Sequence, residues 1–128
     1  MPAANKNFPW MSYYRNYNVF KRNIATHSKV LDVKEIDASN GLYQIVQEDR
    51  ILKIFICECY SFGVAEYEEA LSHFEKLDAI IINSTWCGYT SEVKEYCRTQ
   101  KVGVFNISEF FGAINQANFW NYVAPDDR

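Results

Sequence analysis

The chain has 128 residues, of which 48% are hydrophobic and 23% charged, with a formal net charge of −3. That composition argues against disorder, because enough apolar surface exists to offset the entropy of ordering the chain. No apolar run approaches 18 residues and Met1 to Trp10 lacks a signal-peptide core, so the expectation is a cytoplasmic protein without a membrane segment.

The charge is unevenly spread. Met1 to Lys29 contains no acid but carries Lys6, Arg15, Lys21, Arg22 and Lys29, whereas the rest of the chain is strongly acidic. Phe8, Trp10, Tyr13, Tyr14, Tyr17 and Phe20 interleave with those cations. Cations for phosphate and rings for stacking suit a nucleic acid, and they make Arg15, Lys21, Arg22 and Lys29 candidate contacts. The same pattern fits an amphipathic helix whose rings are core and whose cations are its wet face. Tyr13, Tyr17, Phe20 and Ile24 recur at helical spacing, which predicts a first helix over about Ser12 to Ala25.

Val30 to Ser39 has strand character and Asn40-Gly41 is a strong hairpin signal, so Leu42 to Gln47 reads as the return strand. Glu48-Asp49-Arg50 makes a second turn into Ile51 to Tyr60, whose alternating β-branched and aromatic residues mark a central strand. From Val64 the period changes: Val64, Tyr67, Leu71, Phe74 and Leu77 form one helical stripe. Ala79 to Asn83 is a continuous apolar run, as expected of a strand covered on both faces. Thr90 or Ser91 caps a helix through Gln100, Val102 to Phe105 is a further buried strand, and Ser108 caps a short helix over Glu109 to Ile114. All three prolines lie near the termini. One domain over 1–128 is expected: a basic aromatic helix within 1–29, an α/β core over 30–114 and a tail over 115–128 that packs back through Phe119, Trp120 and Tyr122. The order α-β-β-β-α-β-α-β-α describes an α/β three-layer sandwich with a mixed sheet, a β-meander followed by β-α-β crossovers.

That order resembles the restriction-endonuclease-like superfamily, and is most similar to its Mrr-type branch. The likeness runs over Glu58-Cys59-Tyr60, Val64 to Leu77, Ala79 to Thr85, Thr90 to Cys97, Val102 to Phe105 and Ser108 to Phe111, about half the chain. The resemblance implies a hairpin bearing one metal-binding acid and a following strand ending in Glu-x-Lys. Two carboxylates would hold magnesium, and the lysine would stand beside the attacking water. Glu58 occupies the acid position of that motif, but Tyr60 stands where the lysine would be. Counting back across the hairpin, the other acid falls near Tyr43 or Gln44; Asp37 and Asp49 reach the site only if the register differs. Glu58, Gln44 and Tyr60 are therefore the expected positions of a degenerate site, with no resident cofactor. The function this implies is a nucleic-acid-associated or protein-interaction module on a nuclease-like frame.

Two other readings stand beside it. One is an active magnesium-dependent DNA endonuclease with a rearranged site. The other is thiol redox chemistry: Trp86-Cys87-Gly88-Tyr89-Thr90 lies between a strand and a helix, and a helix N-terminus stabilises a thiolate. Cys57, Cys59, Cys87 and Cys97 show no C-x-x-C spacing, so no metal site is expected, and Cys57 and Cys59 should share one strand face. Trp10, Tyr13, Tyr14, Phe119, Trp120 and Tyr122 could build a homodimer surface, or could simply cover the sheet.

Overall fold

The computed structural model describes residues 10, 17–37, 40–83 and 87–123, with the backbone alone for 17–19. The chain runs through α1 (Tyr17–Ala25), β1 (Asp32–Asp37), β2 (Leu42–Val46), β3 (Ile51–Cys57), β4 (Ser61–Phe62) and α2 (Val64–Phe74). It continues through β5 (Ala79–Ile82), β6 (Gly88–Tyr89), α3 (Ser91–Thr99), β7 (Gly103–Asn106) and α4 (Ile107–Ala113), then a 3-10 turn, Phe119–Asn121. Five strands form one mixed sheet in the order β1-β2-β3-β5-β7. The first three are antiparallel neighbours, and β5 and β7 add in parallel. The central place expected for the Ile51 strand is the one it occupies.

Alternation along the strands divides the interior into two cores. Leu52, Ile54 and Ile56 of β3 join Phe20 and Ile24 of α1 with Phe110 and Ala113 of α4. Phe55 and Cys57, pointing the other way, join Tyr67 and Ala70 of α2 with Val93 and Cys97 of α3. Helices on both faces of one sheet give an α/β arrangement compatible with a three-layer sandwich. All four residues of β5 are buried because both faces are covered. Asp78 ties the strand starts together: its carboxylate accepts from Lys53 N–H at 2.8 Å and its carbonyl from Gly103 N–H at 3.1 Å.

Several boundaries differ from expectation, each for a local reason. The central strand stops at Cys57 instead of Tyr60, since Glu58 N–H turns away from the ladder to Trp10 O at 2.8 Å. The released segment then forms a separate two-stranded parallel ladder, Ser61 on Gly88 and Phe62 on Tyr89, which periodicity over two residues cannot reveal. The last helix is capped by Asn106, not Ser108: Asn106 Oδ1 accepts from Glu109 N–H at 2.9 Å and Glu109 reaches back to Asn106 N–H. That N-x-x-E reciprocal cap was present in the sequence. Thr90 does cap α3, accepting from Val93 N–H at 3.1 Å.

The hairpin signal at Asn40-Gly41 has a steric basis. Gly41 has φ of 77°, and a β-carbon there would collide with the Ile56 carbonyl across the β2–β3 pair. Gly41→Ala should cost about 2–4 kcal/mol, combining left-handed backbone strain with a backbone clash. Gly88→Ala, where an added β-carbon meets nothing within 4 Å, should stay within about 0.5 kcal/mol of wild type. Urea denaturation of the two variants checks both; equal stabilities would remove the steric account.

Candidate functional site

Parallel α/β sheets bind ligands outside the carboxyl ends of their strands. Here β3, β5 and β7 exit through Glu58, Asn83 and Asn106. On the segments at and after those exits lie a buried carboxylate, three thiols and a Tyr–Glu–Lys network.

Glu58 is 6% exposed, and its carboxylate takes no hydrogen bond from any described residue. The sequence placed Gln44 and Tyr60 beside it, and the structure does not. Gln44 is registered on Lys53, five residues before Glu58, which separates them by about 17 Å along the strand. The true register sets Leu42 against Phe55, with Ile56 N–H bonded to Gly41 O, so the hairpin offers Gly41 and Leu42 near the strand exit. Tyr60 fails for another reason. Because the strand ends at Cys57, the two-residue alternation that would align Tyr60 with Glu58 no longer applies, and Tyr60 lies in a turn, 52% exposed. Asp37 is registered on Leu42 and accepts from Asn40 Nδ2 at 2.7 Å, while Asp49 sits in the hairpin turn. Among the described residues no three His, Cys, Asp or Glu side chains converge in a metal-holding group.

The thiols form the second feature. Cys57 and Cys59 both belong to the core under α2 and α3, although Cys59 lies beyond the end of β3 and so does not share a strand face with Cys57, and Cys87 packs against that core. Burial pushes the Cys57 thiol well up, with the Cys59 and Cys87 thiols adding to it. Cys59 is pushed up to about 11, by burial first, with a hydrogen bond from the Ser61 backbone working in the opposite direction. Cys87 is not a helix N-terminal thiol. The cap of α3 is Thr90 and β6 intervenes, so Cys87 lies beyond the first turn, where the helix dipole acts.

Sequence reasoning missed the third feature. Tyr89 Oη donates to both oxygens of Glu109, at 2.8 and 2.9 Å. Lys94 Nζ donates to Val104 O at 2.7 Å, lies 3.9 Å from Glu109 Oε2, and sits 4.6 Å from the centre of the Phe105 ring. Glu109 is 7% exposed. This network joins β6, α3, β7 and α4. The reciprocal cap at Asn106 and Glu109 was its only legible signal, since Tyr89 and Lys94 meet Glu109 through tertiary packing alone.

Of the candidate nucleic-acid contacts, Arg15 lies outside the described residues. Lys21 pairs with Glu35 at 2.6 Å, whereas Arg22 and Lys29 are exposed. Phe20 of α1 is buried while Arg22 of the same helix is exposed, which matches the amphipathic reading of that helix; Trp10, before it, is buried in the other core. Phe119 is also buried and Trp120 and Tyr122 pack beside it, so the described aromatics of the supposed dimer surface cover the sheet of their own chain. Tyr13 and Tyr14 lie outside the described residues. No helix among the described residues is long and apolar enough to cross a membrane.

No family model, curated protein or solved structure matches the chain.

Proposed function

We propose that the chain is a restriction-endonuclease-like domain that keeps the frame and not the phosphodiester chemistry, acting by association with nucleic acid. The observation that carries this reading is the exit of β3. A meander followed by parallel additions brings one buried carboxylate, Glu58, to the carboxyl end of the central strand. The lysine position of the family motif holds a solvent-facing phenol, and the neighbouring hairpin positions are Gly41 and Leu42. These residues do not fit magnesium, which wants two or more oxygen ligands of the protein together with waters, and among the described residues no lysine or arginine pairs with Glu58. The exposed cations Arg22 and Lys29 supply phosphate contacts.

The test has two parts. Plasmid and single-stranded DNA incubated with magnesium or manganese should remain intact, and cleavage abolished by Glu58→Ala would overturn the loss of chemistry. Labelled single-stranded and duplex DNA should bind with an affinity that falls steeply with salt. Arg22→Glu with Lys29→Glu should weaken it at least tenfold and lower the salt slope by about 2. An unchanged affinity would overturn the nucleic-acid role.

A further inference from the structure

A cavity of about 590 Å³ lies at the end of the sheet opposite to Glu58, where the turn over 47–50 leads into β3. Sites that hold small molecules commonly enclose about 300–1,000 Å³. Two side chains pin its walls. Gln47, 7% exposed, donates through Nε2 to Lys29 O at 3.2 Å and to Ile114 O at 2.9 Å. Arg50 donates to Ala117 O at 2.7 Å and Gln116 O at 2.9 Å, with its guanidinium 5.0 Å over the Phe119 ring. Segments 28–31, 47–50 and 114–117 are thereby held around one space before a ligand arrives, which lowers the ordering cost of binding. The lining is mixed in sign. Lys29 stands on one segment and Glu48 and Asp49 on another; all three are exposed and form no ion pair with a described residue. The Arg50 guanidinium is already committed to carbonyl oxygens, and Leu31 and Ile114 add apolar surface. A ligand suited to that lining carries an anion for Lys29, N–H donors for a carboxylate, and a flat apolar body between them.

We propose that this cavity takes a guanine nucleotide, either free or as an unpaired base of a strand; the choice of a nucleotide rests on the nucleic-acid reading above. Guanine sets its N1–H and its 2-amino group side by side, and the two oxygens of one carboxylate accept from both at once. Adenine and cytosine place an accepting ring nitrogen beside their amino group, so a carboxylate opposes half of that edge. Uracil and thymine flank their one N–H with carbonyl oxygens, which a carboxylate repels. A turn carboxylate, Glu48 or Asp49, therefore reads the base, Lys29 meets the phosphate, and Leu31 and Ile114 cover the ring.

Calorimetric titration of the full chain with 5′-GMP, 5′-IMP and 5′-UMP tests the pocket. GMP should bind; IMP, which lacks the 2-amino group, should bind at least about tenfold more weakly, and UMP more weakly still. Glu48→Ala with Asp49→Ala should bring GMP down to the level of IMP, and the comparison on the wild-type chain decides if that variant fails to fold. Equal affinities for GMP and IMP, or no binding of either, would overturn the proposal. A ten-nucleotide thymidine strand, with and without one central guanine, separates this claim from the reading it rests on. The guanine should raise the affinity at least about tenfold. If both strands bind alike with a steep salt dependence, the pocket claim falls and the nucleic-acid role stands. If GMP binds with the stated preference and neither strand binds, the nucleic-acid role falls and the cavity stands as a site for the free nucleotide.

Discussion

Glu109→Ala should lower the stability of the fold by about 3–5 kcal/mol, a large share of the roughly 5–15 kcal/mol typical of a single domain. The carboxylate is almost fully buried, accepts from Tyr89 Oη on both oxygens and from Asn106 N–H at 2.9 Å, and faces Lys94 Nζ at 3.9 Å. Its removal takes away the carboxylate that accepts from the half-buried Tyr89 hydroxyl and from the helix-terminal Asn106 N–H, and that stands near the 12%-exposed Lys94 ammonium. Each lost interaction costs about 1–3 kcal/mol, while Lys94 keeps its bond to Val104 O and limits the total. Glu109→Gln retains one acceptor oxygen but loses the charge and turns the other oxygen into an NH2 donor, so it should cost less than the alanine, about 1–2 kcal/mol. Chemical denaturation of both variants, with Tyr89→Phe to complete a double-mutant cycle, measures the coupling. A loss below about 1 kcal/mol for Glu109→Ala would show that the network does not hold β6 and α4 together.

Alkali should unfold the protein well before any backbone chemistry intervenes. Burial raises the thiols of Cys57, Cys59 and Cys97, with Cys59 at about 11 and Cys97 at about 12, against a reference of 9.0. The sign follows directly: a raised acid stays neutral in the folded state while the unfolded chain ionises from about pH 9. Stability is therefore fully present below pH 9 and is lost as pH climbs toward the folded values. The loss is about 1.4 kcal/mol per pH unit for each such thiol, so Cys59 and Cys97 together remove on the order of 3 kcal/mol between pH 9 and 10.5, and Cys57 acts in the same direction. Urea midpoints measured from pH 7 to 10.5 should hold level and then fall. Cys97→Ala should make the fall shallower by about one proton, and a midpoint unchanged at pH 10.5 would refute the account.

The strands and helices were legible where local pattern and tertiary context agree. Ile51 to Cys57 alternates and lies centrally; Ala79 to Ile82 is apolar throughout and buried on both faces; Thr90 caps the helix it precedes. The site was much less legible, because it depends on where a strand ends. Nothing in Ile51 to Tyr60 announces that Glu58 N–H leaves the sheet for Trp10 O, yet that one bond separates Glu58 from Tyr60. Gln44 was misplaced by register, which Gly41 and its close approach to Ile56 decide and which periodicity leaves open. Tyr89, Lys94 and Glu109 span 21 residues of sequence and lie on three elements, so only packing brings them together.

The four-residue strand Ala79–Ile82 has a consequence for how the chain reaches its native state. It is flanked on both sides by parallel neighbours, so it gains no partner until the α2 and α3 connections have closed. Non-local closure of that kind is slow, and until it finishes a run of three isoleucines stays open to other chains. Asp78 before the run and Asn83 after it stand as polar sentinels at its two ends, the positions from which intermolecular stacking is most cheaply discouraged.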